Sequence, residues 1–250
     1  MSTARSGDLA ALWRAQVAKN GPRPFLTYLD FETGERVELS YSTMDNWTSK
    51  TANLIQDELL AEPGSRFLLA APPHWMTAIW AIAPLLCSAV VSPWGDAARA
   101  RYAVAGPEQD QLEFARACNG ERYALSLLPL GRPFAEVPDG FEDYVAEVRV
   151  HGDRFGSFSP PNGDAPALTV DSGEALTHRA VLAEADGRYK DGARLLVPID
   201  ETSVDAAGLI DWLYAPIAAG GSVVLARGGS GADLDRLAET ERAQRFKVDK

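Results

Sequence analysis

The sequence predicts an α/β protein, with mostly parallel sheets flanked by helices in layers, and three observations carry that prediction. Short apolar runs at residues 66–71, 102–105, 194–198 and 222–226 have the length and aliphatic content of buried strands. Segments with helical periodicity alternate with these runs, as in βαβ units. The composition, 46% hydrophobic and 24% charged over 250 residues, supports either one large domain or two joined halves around a real core.

Each element follows from local signals. Residues 8–19 form an amphipathic helix with Leu9, Leu12, Trp13 and Val17 on one face, and Pro22 and Pro24 end it. Residues 25–29 and 36–39 flank Glu32-Thr33-Gly34-Glu35, a hairpin signal with glycine at the turn. Ser42 is the expected cap of a helix running to about residue 60, which Pro63-Gly64 stops. Residues 67–95 contain no Asp, Glu, Lys or Arg, but Pro72, Pro73, Pro84 and Pro93 interrupt them. That stretch reads as buried strand, helix and strand, and no membrane span is expected. A strand at 102–105, a helix at 107–119 with proline in its first turn, and a strand at 123–128 follow.

Residues 141–150 carry mixed signals and are read as a helix. The loop 153–164, with Gly156, Pro160-Pro161 and Asn162-Gly163, is the expected linker between a first subdomain, 1–155, and a second, 156–250. A strand at 167–170 then meets the turn Asp171-Ser172-Gly173, and Thr177 caps a helix reaching residue 189. Strands at 194–198 and 222–226 bracket a buried helix at 204–219, and a last helix is expected from 233 to about 246. Internal repeats are absent.

Charge limits the partners. The formal net charge of −11 opposes binding to a nucleic-acid backbone or to anionic lipid. Cys87 and Cys118 are too far apart for a zinc or redox motif, and they fit buried packing roles in a reduced cytoplasmic protein. The first twenty residues lack the apolar core of a signal peptide.

Several short motifs occur in a telling order: Pro24-Phe25-Leu26 with Gly34-Glu35, Leu39-Ser40-Tyr41-Ser42-Thr43-Met44, Pro63-Gly64-Ser65-Arg66-Phe67, His74-Trp75, and Ala89-Val90-Val91-Ser92-Pro93. The strand Ala167-Leu168-Thr169-Val170 and the helix start Leu176-Thr177-His178-Arg179 come later, and residues 195–226 complete the pattern. Together they resemble the large N-terminal domain of the adenylate-forming enzymes, which include acyl-CoA synthetases, peptide-synthetase adenylation domains and luciferases. The resemblance covers roughly residues 8–246 and implies the N-terminal subdomains of the acyl-CoA synthetase-like fold. It also implies a phosphate loop at Thr169, Asp171, Ser172, Gly173, Thr177 and His178. Here that loop has shrunk to Asp-Ser-Gly-Glu-Ala, with no lysine, and Asp171 and Glu174 place negative charge where triphosphate would sit.

Further elements that the resemblance implies find no counterpart before Lys250. These are an adenine-stacking aromatic, a magnesium-binding Thr-Glu, a ribose-binding Asp, and a C-terminal domain with a catalytic lysine. No catalytic residue and no metal site are assigned. No cofactor is expected, and ATP and AMP are disfavoured. Trp94, Asp200 and Glu201, at strand ends, are the residues expected to line a cleft. Gly228-Gly229-Ser230-Gly231 reads as a flexible connection, and His178 as a structural helix-start residue. The functional reading is a truncated, non-catalytic homologue of AMP-forming acyl-CoA synthetases, kept for binding a ligand or a protein. Homo-oligomerisation or a protein partner would cover the apolar surface left by the missing half. The alternative is a nucleotide- or acyl-ligand-binding enzyme, or one half of a split adenylate-forming enzyme whose acid–thiol ligase chemistry a partner chain completes.

Overall fold

The computed structural model describes residues 7–171, 173–201 and 204–246. In chain order the elements are α1 (Leu9–Asn20), β1 (Pro24–Asp30), β2 (Arg36–Ser40), α2 (Tyr41–Asn53, continued by a π-helical turn at Leu54–Glu58), β3 (Arg66–Ala70), α3 (Trp75–Leu86), β4 (Val90–Pro93) and β5 (Tyr102–Ala105). The order continues with α4 (Gln109–Arg116), β6 (Glu121–Ala124), β7 (Glu142–Asp143), α5 (Tyr144–Val148), β8 (Pro166–Thr169), β9 (Ala175–Thr177) and α6 (His178–Ala185). It closes with β10 (Arg194–Pro198), α7 (Ala206–Leu209), a π-helical turn (Ile210–Tyr214), α8 (Ala215–Ala219), β11 (Ser222–Arg227), α9 (Gly231–Glu241) and β12 (Gln244–Arg245).

These strands form two sheets, of order β12-β10-β11-β1-β2 and β7-β6-β5-β3-β4-β8-β9. Pairing is parallel except for the β1–β2 and β8–β9 hairpins. The sheets do not divide at residue 155. β1 and β2 share a sheet with β10, β11 and β12, because Leu26 of β1 stands opposite Val223 of β11 and Leu195 of β10 opposite the same residue on its other side. The loop 153–164 instead lies between β7–α5 and β8, which belong to one sheet.

Burial explains why the strands read as continuous apolar runs. Along β3, Phe67 and Leu69 enter the main core while Leu68 faces a second core with Leu112 and Ala115 of α4. Along β10, Leu195 and Val197 enter the main core while Leu196 faces a third core with Leu234 and Leu237 of α9. Each sheet is thus covered on both faces, which parallel strands require. Between the sheets lies α3, buried at every residue and packed on β1 of one sheet and on β3 and β4 of the other. Tyr214 ties the following layer to it by donating its hydroxyl to the Ala81 carbonyl at 2.8 Å.

Some expected boundaries move. The cap of α2 is Ser40, whose Oγ accepts from the Thr43 N–H at 3.1 Å, and not Ser42. The strand expected at 123–128 ends at Ala124, and the helix expected at 107–119 covers only Gln109–Arg116, with Glu108 as its cap. The last helix ends at Glu241, where Arg242 turns to φ +50, and the chain then adds β12 to the sheet edge. Among the described residues no helix is long and apolar enough to cross a membrane.

Candidate functional site

The loop expected to hold phosphate is the tip of the β8–β9 hairpin. Two of its backbone donors are used inside the hairpin: the Val170 N–H donates to the Glu174 carbonyl at 2.9 Å, and the Gly173 N–H to the Val170 carbonyl at 2.8 Å. Gly173 makes this closure with φ +81, a conformation that side chains disfavour. The nearby Arg66 donates to the Gly173 carbonyl at 3.3 Å, so its guanidinium is engaged as well. Thr169 is buried and donates its hydroxyl to Ser92 Oγ at 2.7 Å. Asp171 is exposed in the turn, and Ser172 lies outside the described residues.

Thr177 caps α6, its Oγ1 accepting from the Ala180 N–H at 3.2 Å. His178 is fully buried, and its Nδ1 accepts from the Leu9 N–H at 3.2 Å. Burial lowers its pKa to about 4, against a smaller opposing pull from Asp8, so the ring is neutral and carries its proton on Nε2. This histidine anchors α1, and it does not face an open site.

A larger cavity, about 580 Å³, lies where the carboxyl ends of both sheets converge. Asp30 ends β1, Arg227 ends β11 and Asp200 follows β10; across from them Pro72 and Pro73 follow β3, and Ser126 lies beyond β6. This is where α/β sheets ordinarily place ligands, since loops there are free to vary above a rigid frame. Asp200 therefore lines a cavity, with its Oδ2 accepting from the Gly228 N–H at 3.1 Å. Gly229, at φ +86, is required beside it, because a Cβ there would come within 2.7 Å of the Phe31 ring. Trp94, expected in a cleft with Asp200, does not line this cavity; it sits at φ +48 with its ring 5.3 Å from Phe114. Glu201 belongs to the short turn Ile199–Glu201 after β10.

The residues that sequence reasoning missed are His74, Glu35, Asp30, Tyr28 and Arg227. His74 caps α3: its Nδ1 accepts from the Met76 N–H at 3.2 Å, and its ring meets Tyr28 edge-on at 4.6 Å. Only 2% of it is exposed, and burial, helped by Arg227, lowers its pKa to about 3. Its Nε2 has no partner among the described residues. The buried Oε1 of Glu35 has none either, and burial, with Asp30 nearby, raises the Glu35 pKa. Arg227 is hydrogen-bonded to Tyr28 and lies 3.9 Å from Asp30. Each of these except Tyr28, which lies inside β1, sits at or next to a strand end or at a helix start, the one signal that could have found them.

No family model matches the chain. A protein of Mycobacterium tuberculosis (strain ATCC 25618 / H37Rv) described as a TIGR03089 family protein is 37% identical over 232 residues, covering 90% of each chain. The chain belongs to the TIGR03089 family. Among solved structures, this TIGR03089 family member resembles an acyl-CoA synthetase of Brucella canis, with TM-score 0.74 and 12% identity over 95% of its own length. It also resembles the N-terminal domain of FACL13 from Mycobacterium tuberculosis, with TM-score 0.67 and 14% identity over 94% of its length. The family member spans 46% of the first of those chains and 61% of the second. Its fold is that of acyl-CoA synthetase N-terminal domains.

Proposed function

We propose that the protein is a non-catalytic relative of the AMP-forming acyl-CoA synthetases, retained to bind a small ligand in the cavity between the carboxyl ends of its sheets. The observation that carries this reading is the closed β8–β9 hairpin. A phosphate loop works by aiming free N–H groups at oxygens, with a cation to add charge. Here the Val170 and Gly173 N–H groups are bonded within the hairpin, and Arg66 is held on a carbonyl. Asp171 and Glu174 add repulsion at the tip. The carboxylates and the hairpin bonds described here disfavour a triphosphate, and Arg99, whose Nη1 lies near Gly173, is the one exposed cation beside the tip among the described residues.

The cavity, by contrast, keeps a set of polar groups around apolar walls, as ligand sites do. Titration calorimetry with ATP and magnesium, and then with AMP, tests the first half of this reading. The expected result is no heat and no thermal shift at millimolar nucleotide. Micromolar ATP binding, or ATP–pyrophosphate exchange with any member of a carboxylic-acid panel, would establish the enzymatic alternative.

A further inference from the structure

Residues 126–132, between β6 and β7, reach from the seven-stranded sheet to the β1–β2 hairpin of the five-stranded one. Ser126, Leu127, Leu128 and Pro129 line the cavity, and so does Glu35 of the hairpin. The segment folds on itself: the Gly131 N–H donates to the Leu128 carbonyl at 3.0 Å, and Ser126 Oγ to the Arg132 carbonyl at 2.6 Å. Leu127 packs against the main core and fixes its base. Three contacts hold the part beyond. The Leu130 N–H donates to the Glu35 carboxylate, and Arg149 Nη2 donates to the Gly131 carbonyl at 2.6 Å. Gly131 lies on Trp75, whose ring a Cβ there would meet at 3.2 Å.

This closed arrangement carries costs that opening would release. Leu127 at φ +51 and Leu130 at φ +58 place two non-glycine residues in the left-handed region. The Leu130 side chain is 82% exposed, so packing offsets little of its strain. Glu35 is partly buried, and burial together with Asp30 raises its pKa against the smaller opposing pulls of the Leu130 N–H and Arg132. Lifting the segment returns that carboxyl to water and lets Leu130 relax.

We propose that residues 128–131 are a strap over the mouth of the cavity, latched by Glu35 and Arg149, which lifts about Leu127 to admit a ligand. The proposal rests on reading the cavity as a ligand site, and it names the element that controls access to it.

Two readouts on the full chain test it. One is hydrogen exchange of the amides of residues 128–131. The other is alkylation by iodoacetamide at pH 8 of a thiol introduced by Gln111→Cys; Gln111 lines the cavity and is 8% exposed, and the native thiols are buried. Glu35→Ala and Arg149→Met each remove one latch and are expected to speed both readouts by about fivefold or more. Leu130→Gly suits the backbone at that position and sacrifices no buried surface, so it is expected to slow both by about threefold. Exchange in β3 and β10 is the control for folding, and exchange is measured without the added cysteine, so it stands even where Gln111→Cys folds poorly. Unchanged exchange in both latch variants would overturn the proposal. Faster exchange without faster alkylation would also overturn it, because the segment would then move without controlling access. Alkylation as fast in the wild-type background as in urea would show a cavity already open and overturn it as well. Each of these failures leaves the cavity standing as a ligand site, which the strap only serves.

Discussion

The backbone N–H of Leu9 donates to Nδ1 of His178 across a separation of 169 residues, at 3.2 Å. This bond ties the first turn of α1 to the first residue of α6, while Asp8 caps the same turn by accepting from the Ala11 N–H at 2.7 Å. It gives a histidine from the shrunken phosphate-loop region a purely architectural task.

Replacing His178 by alanine leaves the Leu9 N–H without its acceptor and opens a void in a fully buried place. The expected loss is about 2–4 kcal/mol in urea unfolding at neutral pH. The wild type should also lose stability on acidification. The folded-state pKa of His178, about 4, and of His74, about 3, lie below the ordinary 6.5, so the unfolded chain binds more protons throughout that interval. Their contribution is complete above pH 6.5 and falls as pH drops toward those folded values, by up to roughly 1.4 kcal/mol per pH unit for each histidine. His178→Ala should show a shallower pH dependence than the wild type; identical slopes would show that His178 is not buried neutral.

Trp94 sits at φ +48 and is 38% exposed, with one ring contact, to Phe114 at 5.3 Å. A non-glycine residue in the left-handed region carries strain of about 1 kcal/mol, which alanine keeps and glycine relieves. Trp94→Gly is therefore expected to be more stable than Trp94→Ala by about 1 kcal/mol, reversing the usual order of these two residues. Thermal unfolding of the pair decides the point, and an alanine variant as stable as the glycine variant would mean that the backbone relaxes on loss of the ring.

The two thiols should be silent in the folded protein. Cys87 and Cys118 are buried, and burial raises the Cys87 pKa to about 12. Because the thiolate is the reactive form, labelling of Cys87 by an aromatic disulfide reagent at pH 8 is expected to be at least about a thousandfold slower than for a free thiol, while burial alone shields Cys118 from the reagent. In urea both cysteines should react at once. Fast labelling of one thiol without denaturant would reveal local opening around α3 or α4.

Much of the architecture was legible because local signals and burial agree. The strand at Arg194–Pro198 and the Thr177 cap of α6 stand where pattern reading places them. The element most easily mistaken for a membrane span, α3 with its flanking strands, is apolar all round because it lies between two sheets. Boundaries moved where competing caps were close together, as with Ser40 and Ser42. The β9 strand was hidden because its three residues pair only with β8, a tertiary partnership that three residues cannot advertise.

The site was far less legible. The loop 169–178 drew attention because its residues are adjacent in sequence and match a motif. The cavity draws Asp30, Glu35, His74, Glu108, Asp200 and Arg227 from loops and strand ends spread over most of the chain.

By itself, the sequence determined the alternation of strand and helix, the two-sided burial of the strands and the excess of negative charge. Those properties depend on the period of apolar residues and on composition, which are local or additive. Only the tertiary structure decided that the first and last strands share a sheet, that His178 holds α1, and that Asp30, His74, Asp200 and Arg227 line one cavity. Such facts depend on which strand ends are brought together by long-range pairing, and that is set by the whole packed core.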